Sequence, residues 1–402
     1  MLIGAQVVSE IAFSFAMPFT PLYLQELGVT DLAEVGLWSG LLAGVFSVAM
    51  GGMAPIWGMV ADRFGHKRMI QRALFGAGCV VGAVAFVQTP EQLVVLRILH
   101  GALTGVVTAI ATMVSLTTPR QHLGTVLGLL QAAVWVGISL GPLMGGAFAD
   151  SFGLRASFAC TGVFLVTLGL AVTMLVPSPP REQARSGAAH AGQTSPARQK
   201  LMTRELLAVI ALMALTKLAQ MGPQPFLPLF IQTMVDNQEG LATTVGIVLA
   251  ATGVASTVTA LMIGRLNGWF GPRVVLVGGL LLSAVLTGMH ALAGSVWQLL
   301  VLRVALGLAQ GGSGPAIQAL MIDVTPAGRR GAAFGVLTTA NAAGSGGGPV
   351  LGSIIVAGFG IPAVFLATAP VLGLAGWLAA RTRPGARVTV PPTSSTPAPA
   401  AR

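Results

Sequence analysis

The chain repeats itself at an offset of 206–207 residues (Gly101 to Gly307, Glu10 to Lys217), and the repeats carry matching motifs. Glu10-Ile11-Ala12, followed by Pro18-Phe19-Thr20-Pro21-Leu22, returns as Lys217-Leu218-Ala219, followed by Pro225-Phe226-Leu227-Pro228-Leu229. Gln92-Leu93 with Leu96-Arg97 and Gly101 returns as Gln298-Leu299 with Leu302-Arg303 and Gly307. Gly137, Gly141-Pro142 and Gly145 return as Gly344, Gly348-Pro349 and Gly352. The units of a solenoid run about 20–50 residues, so a period this long marks a duplicated half-protein. The fold must hold two related bundles.

The solvent for those bundles follows from composition. The chain is 54% hydrophobic and 8% charged, with a mean hydropathy of +0.82. A soluble domain carries roughly 25% charged residues. Twelve apolar stretches lie near or above the roughly 20-residue spanning length: about 2–24, 35–60, 69–88, 92–117, 122–149, 156–176, 205–233, 241–264, 273–293, 296–321, 330–357 and 361–380. Lipid leaves backbone groups no partners outside the segment, so each stretch is read as a helix. Long apolar runs without alternation argue against a barrel. The 53 glycines suit close helix packing, as in Gly101-xxx-Gly105, Gly141-xxx-Gly145 and Gly307-xxx-Gly311. Two such halves rocking about a shared site would give alternating access.

The net charge of +10 does not point to nucleic acid, because its distribution follows topology. One set of loops and tails carries Arg63, Lys67, Arg68 and Arg72, then Arg120, then Arg181, Arg185, Arg198, Lys200 and Arg204, then Arg265, Arg273, Arg329, Arg330 and the tail cations from Arg381. The opposite set carries Arg155 among cations, with the acids Glu26, Asp31, Glu34, Glu91, Asp150, Asp236 and Glu239. This positive-inside bias predicts a multi-pass protein of the cell inner membrane with both termini in the cytoplasm.

Residues 1–176 and 205–380 are predicted as six-helix bundles. Between them, 177–204 is rich in Pro, Ser, Ala, Gly and Arg and reads as a cytoplasmic linker. The tail 381–402 lacks the apolar residues for a core and is expected to be disordered and cytoplasmic. Cys79 and Cys160 fall inside predicted helices and read as apolar filler. No cleavable leader is recognised. By the repeat offset, the start of helix 7 near Glu205 maps before residue 1, so the chain is expected to begin within helix 1.

Between helices 2 and 3 stands Gly58-Met59-Val60-Ala61-Asp62-Arg63-Phe64-Gly65-His66-Lys67-Arg68. In spacing and residue type it resembles motif A of the major facilitator superfamily. By that resemblance Gly58, Asp62, Arg63, Gly65, Lys67 and Arg68 form a conformational latch, with Asp62 capping a neighbouring helix N-terminus near Arg329-Arg330-Gly331. The second copy, Gly264 to Arg273, lacks the Asp. Arg97-Ile98-Leu99-His100-Gly101 resembles motif B, with His100 where Gln is usual. Gly137, Gly141, Pro142 and Gly145 resemble motif C of the antiporter branch, where the resemblance implies a proline bend that controls closure.

Ionisable residues inside spans are functional candidates by default. At helical spacing Arg97, His100, Thr104 and Thr108 share a face. Arg97 and its repeat mate Arg303 either face a wet cavity or sit at the outer interface. Glu10 and Lys217 occupy one repeat position in helices 1 and 7. If their stripes (Glu10, Phe13, Met17; Lys217, Gln220, Gln224) face a central cavity, the two could meet across it. Burial raises a carboxylate's pKa and a nearby ammonium lowers it, so a site that switches between these settings loads and releases a proton. The alternative is a pair near the cytoplasmic interface without a transport role. Gln131, Trp135, Gln310, Thr338, Asn341 and Ser345 are further candidates for the cavity wall. No Walker sequence is present, so the proton gradient rather than ATP is the expected energy source, with no cofactor and no metal.

The helix-1 run Phe15–Leu24 and the helix-7 run Gln220–Leu229 resemble bacterial drug:proton antiporters, in particular the MdtG-like multidrug branch. The resemblance implies an all-α integral membrane fold of 12 transmembrane helices in two pseudo-symmetric six-helix bundles. It implies proton-coupled efflux of small amphipathic compounds, not an enzyme activity. The expected partners are the lipid bilayer, a small-molecule substrate and protons, with no nucleic acid and with the chain as a monomer. Transport of a specific metabolite, and a non-transporting sensor or scaffold, remain as alternatives.

Overall fold

The computed structural model describes residues 1–119, 122–176, 203–325 and 330–382. The expected linker (177–204) and tail (381–402) lie almost entirely outside these residues. Described spans are α1 (Leu2–Glu26), α2 (Leu32–Phe64), α3 (His66–Phe86), α4 (Pro90–Ser115), α5 (Leu123–Phe152), α6 (Leu154–Leu175), α7 (Arg204–Gln232), α8 (Leu241–Phe270) and α9 (Pro272–His290). After these come α10 in two pieces, Val296–Gln310 and Ser313–Val324, then α11 (Arg330–Phe359) and α12 (Ile361–Arg381). Eleven of the described elements are long and apolar enough to cross a membrane. The pieces of α10, 15 and 12 residues long, reach spanning length only together.

Local sequence sets the helix ends. α4 starts on Thr89, whose side chain accepts from Gln92 N, and α10 starts on its repeat mate Ser295, which accepts from Gln298 N. α2, α5, α8 and α11 all end in Phe-Gly: Phe64-Gly65, Phe152-Gly153, Phe270-Gly271 and Phe359-Gly360. Each of these glycines has φ between 80° and 92°. A residue without Cβ takes that conformation freely, so one glycine ends each helix and the next begins directly after it. Pro142 and Pro349 do not interrupt α5 or α11, each of which runs as a single helix of 30 residues.

Within each half the pairing is the same. α1 packs on α5, α2 on α4 and α3 on α6; α7 packs on α11, α8 on α10 and α9 on α12. The halves meet along two seams, α5 with α8 and α2 with α11. Small residues make the seams. A Cβ on Gly146 would strike Ala242, one on Gly246 would strike Pro142, and one on Gly253 would strike Ser139. On the other seam Gly40 meets Ser353, Gly44 meets Val350, and Gly346 meets Ser47.

The buried core shows where the halves join. At the end carrying the acidic loops a single cluster crosses both halves, with Phe19, Tyr23, Val84, Leu93 and Phe158 joined to Phe226, Phe230, Leu299, Val356 and Phe365. Gln25 and Gln232 close this end with reciprocal amide bonds of 2.9 and 3.0 Å between residues 207 apart. Towards the end carrying the basic loops there are two clusters instead. One holds Ile70, Leu74, Ile110, Leu130 and Leu165 of the first half, the other Leu212, Leu280, Ile317, Leu337 and Leu372 of the second. The buried core is shared by the halves at the acidic end and divided between them at the basic end.

Arg72 was counted among the loop cations from sequence, but it lies inside α3. Its guanidinium stands 3.6 Å from the ring centroid of Trp57, and its Nη2 donates to Thr104 O at 3.1 Å. The indole covers the cation and so lets it sit below the helix end.

Candidate functional site

Four elements are discontinuous, and they are repeat mates. α1 passes through a 3-10 turn at Met17–Phe19, and α7 through one at Gln224–Phe226. α4 stops at Leu103 and resumes at Val106; α10 stops at Gln310 and resumes at Ser313. Local chemistry explains the breaks. Pro18 and Pro225 sit in the 3-10 turns and lack an N–H for the helical ladder. Gly105 adopts φ 123°, and Gly311-Gly312 form the matching break in α10. Interrupted helices at corresponding places in two halves point to a binding site in a transporter.

The predicted residues sit on or beside these breaks. Arg97 on α4 reaches α1, where Nη1 donates to the Met17 sulfur and Nη2 to Thr20 Oγ1 at 2.5 Å. Its repeat mate Arg303 is buried, with Nε unpartnered among the described residues. His100 is buried between rings, stacked on Phe13 at 5.7 Å and tilted against Phe46 at 4.9 Å, and neither ring nitrogen has a partner among the described residues. It packs as an aromatic inside the first half. The expected continuous face from Arg97 to Thr108 does not form, because Thr104 is extended at ψ −179° and Gly105 turns the chain. The Thr104 carbonyl serves Arg72 instead.

Glu10 is 8% exposed and accepts from Gln6 Nε2 at 2.9 Å. Its Cβ lies against Gly137 of α5. Lys217 lies against Gly344 of α11, the repeat mate of Gly137. Each ionisable residue is therefore seated on a glycine of its own half. Among the described residues no ion pair or hydrogen bond joins Glu10 to Lys217, and the Lys217 ammonium has no partner. The expected contact between the two is not seen among the described residues; each lies against α5 or α11 of its own half.

The motif C glycines make that seat. Gly137, Gly141 and Gly145 face Glu10, Ser14 and Phe15 of α1, and Gly344, Gly348 and Gly352 face Lys217, Leu218 and Gly222 of α7. The opposite side of α5, with Ser139, Pro142 and Gly146, faces α8. Helical spacing puts Gln131 in the wedge between these two stripes and Trp135 on the α8 side, and it puts Thr338 and Ser345 of α11 in the corresponding wedge. Gln131 is exposed, while Trp135, Asn341 and Ser345 are half-buried. Gln220 Nε2 donates to Ser313 Oγ at 3.2 Å, and Ser313 Oγ donates to the Gln310 carbonyl at 2.8 Å, so α7 is tied to the break in α10. Gln224 sits in the 3-10 turn of α7.

In the motif A segment, Gly58 stands in open space, Arg63 lies over Phe64 at 5.5 Å, and Lys67 Nζ donates to Thr173 O at 3.0 Å. Arg68 is exposed. The side chains of Asp62 and Arg330, and all of Arg329, lie outside the described residues, and so does the latch expected between them. Sequence reasoning missed Ser313, which joins α7 to α10, and the role of Trp57. A serine directly after a Gly-Gly break was the available signal for the first.

The sequence profile described as Major Facilitator Superfamily matches residues 2–241 and 226–402. A protein named multidrug resistance protein MdtG from Dickeya zeae (strain Ech586) is 33% identical over 379 residues, covering 92% of this chain and 91% of that one. MdtG of Escherichia fergusonii is 31% identical over 361 residues, covering 90% and 88%. Among solved structures, a D-xylose-proton symporter superposes with TM-score 0.77 at 15% identity, covering 95% of this chain and 97% of its own. A bacterial homologue of the human lysosomal transporter Spinster, inward-facing and occupied, superposes with TM-score 0.76 at 15% identity, covering 95% and 96%.

Proposed function

This chain belongs to the major facilitator superfamily, and we propose on that footing that it is a secondary transporter that exports small amphipathic compounds in exchange for protons. The observation that carries the reading is the division of the core: one apolar cluster crosses both halves at the acidic end, and two separate clusters stand at the basic end. A protein that only scaffolds has no need of halves that part at one end and close on glycine at the other. Multidrug resistance is what the names of the relatives state, and these are about one-third identical along nearly the whole chain; export is the transport that would give it.

From the positive-inside bias we read the basic end and both termini as cytoplasmic, in the inner membrane. The arrangement is then inward-open. Cargo enters from the cytoplasmic side between the parted halves and meets the breaks in α1, α4, α7 and α10. Met17, Phe13, Trp135, Gln131, Gln220 and Gln224 offer polarizable and amide surface with little charge, which suits loose recognition of varied apolar molecules. Tipping the halves closes the basic end and opens the acidic one, so the cargo leaves outward. The chain works as a monomer, with the proton gradient in place of a cofactor.

Glu10 is the coupling carboxylate in this reading. It is buried beside an amide that hydrogen-bonds it in either protonation state, and it has no fixed cation. Lys217, equally seated and unpartnered, is its candidate counter-charge, since an approaching ammonium favours loss of the proton. Exchange requires Glu10 to load its proton from outside and to lose it to the cytoplasm. Everted vesicles with an imposed pH gradient test this with a panel of amphipathic dyes, using wild type and Glu10→Gln. Wild type accumulates dye when the gradient is applied; Glu10→Gln, equally abundant and monodisperse, loses the response. Undiminished coupling in Glu10→Gln sinks the assignment.

A further inference from the structure

α8 begins without a cap of its own. Its N-cap position is Gly240, with φ 73°, which has no side chain to offer the free N–H groups of the first turn. The cap comes from the other half. Asp150, in the last turn of α5, accepts from Ala242 N on Oδ1 at 3.2 Å, and from Thr243 N and Thr243 Oγ1 on Oδ2 at 2.7 and 2.5 Å. By contrast α2, the repeat mate of α8, starts on Asp31, which caps its own helix through Glu34 N. We propose that Asp150 is the positioning residue of the outer gate: it caps α8 across the α5–α8 seam only while the outer end is closed, so this contact sets the balance between inward-open and outward-open forms.

Three observations converge on this role. The three donors that meet Asp150 belong to the opposite half, so the bonds cannot survive separation of the halves. They sit directly beyond the Gly146–Ala242 contact, at the outer margin of the seam. A carboxylate at a helix N-terminus also satisfies the helix dipole, which water does less well once the seam opens. The sequence around Asp150 supports a gating duty independently. Ala149-Asp150-Ser151-Phe152-Gly153 ends α5 at the acidic end, and Ala61-Asp62-Arg63-Phe64-Gly65 ends α2 at the basic end. α5 and α2 are the helices that form the two seams with the other half. The same Ala-Asp-x-Phe-Gly ending thus stands at opposite ends of the two seam helices.

The inference rests on the reading that the halves alternate, and the test separates the two. In a protein whose Cys79 and Cys160 are replaced by serine, Val356→Cys places one thiol under the α2–α11 seam, where Val356 is buried against Gly36. That seam is remote in sequence from Asp150, yet it opens with the same motion. The readout is the labelling rate in right-side-out vesicles by a membrane-impermeant maleimide. Asp150→Ala is expected to speed labelling about tenfold, the effect of losing a charge-assisted cap. Asp150→Asn keeps one acceptor oxygen but loses the charge and the second acceptor, so its rate is expected between those of the parent and Asp150→Ala. Thr243→Val speeds labelling several-fold, and Asp150→Ala with Thr243→Val is no faster than Asp150→Ala alone. Labelling of Asp150→Ala at the parent rate, or full additivity with Thr243→Val, overturns the proposal; if Asp150→Ala does not fold, an unchanged rate in Thr243→Val does so. A parent thiol that never reacts under any gradient or substrate sinks the alternation itself instead.

Discussion

Gly145 and Gly146 are neighbours in α5 that serve different halves of the molecule: a Cβ on Gly145 would overlap the Phe15 carbonyl of α1, and a Cβ on Gly146 would overlap the Ala242 carbonyl of α8. The first contact lies within the amino-terminal half and has no reason to break. The second crosses a seam that must open. One helix therefore carries a permanent face and a temporary face side by side.

Exchanging each of these glycines for valine should give opposite phenotypes. Gly145→Val forces α1 off α5 and is expected to cost about 1–3 kcal/mol, the penalty for overpacking. It should lower the detergent melting temperature. Gly146→Val should leave melting near the parent and instead hold the outer seam apart, which is read as faster external labelling of the Val356→Cys thiol. Gly128→Ala, in open space on the same helix, is the control and should shift stability by no more than about 0.5 kcal/mol. Equal melting of the Gly145 and Gly146 variants would contradict the division of faces.

Trp57 holds two tasks that substitution can separate. Its indole N–H donates to Ala102 O at 2.6 Å, and its ring covers Arg72. Trp57→Phe removes the first and keeps the second, at a cost of about 1 kcal/mol. Trp57→Leu removes both and should cost more, by about 1–2 kcal/mol for a partly desolvated cation over an aromatic ring. Thermal melting of the two variants checks the order, and Arg72→Leu in the Trp57→Leu background should restore part of the loss.

Lys217 should trade stability against activity. A cation inside the spans with no partner among the described residues is a net cost in the inward-open form. Lys217→Met keeps the length and removes the charge, so its melting temperature is expected to match or exceed that of the parent while gradient-driven export is lost. A variant that is both less stable and fully active would remove Lys217 from the cavity.

Tyr23 is the single tyrosine, and its hydroxyl donates to Val84 O at 2.9 Å in the shared outer core. Tyr23→Phe removes the side-chain donor to that carbonyl, which keeps its backbone bond from Val87 N, and should cost about 1 kcal/mol. Because the ring packing against Phe158 is kept, export in vesicles should persist at ordinary temperature, with loss only on heating.

Much of the architecture was legible because lipid allows so few solutions. Apolar length gave the spans, the 207-residue echo gave the halves, and the glycines of the motif C segment announced close contact. What they contact was not legible. Helical spacing alone put Arg97 and Thr108 on one stripe, yet the chain turns at Gly105; nothing in the composition of that run distinguishes a glycine that packs from one that turns. Arg72 read as a loop cation because the ring that shelters it comes from a segment fifteen positions away. Asp150 read as one more acid in an outer loop, since the helix it caps starts some ninety residues later. Glu10 and Lys217 were legible as a pair by repeat position, but whether they meet depends on how far the halves have tipped, which one sequence does not encode.

Gln25 and Gln232 are equivalent by descent as well as adjacent in space. An amide is both donor and acceptor, so it complements a copy of itself; a carboxylate or an ammonium repels its twin. A pair of this kind satisfies a two-fold axis whether the flanking halves are different or the same. The outer end is therefore closed without any change of residue type between the halves, whereas Glu10 and Lys217, at another repeat position, carry opposite charges.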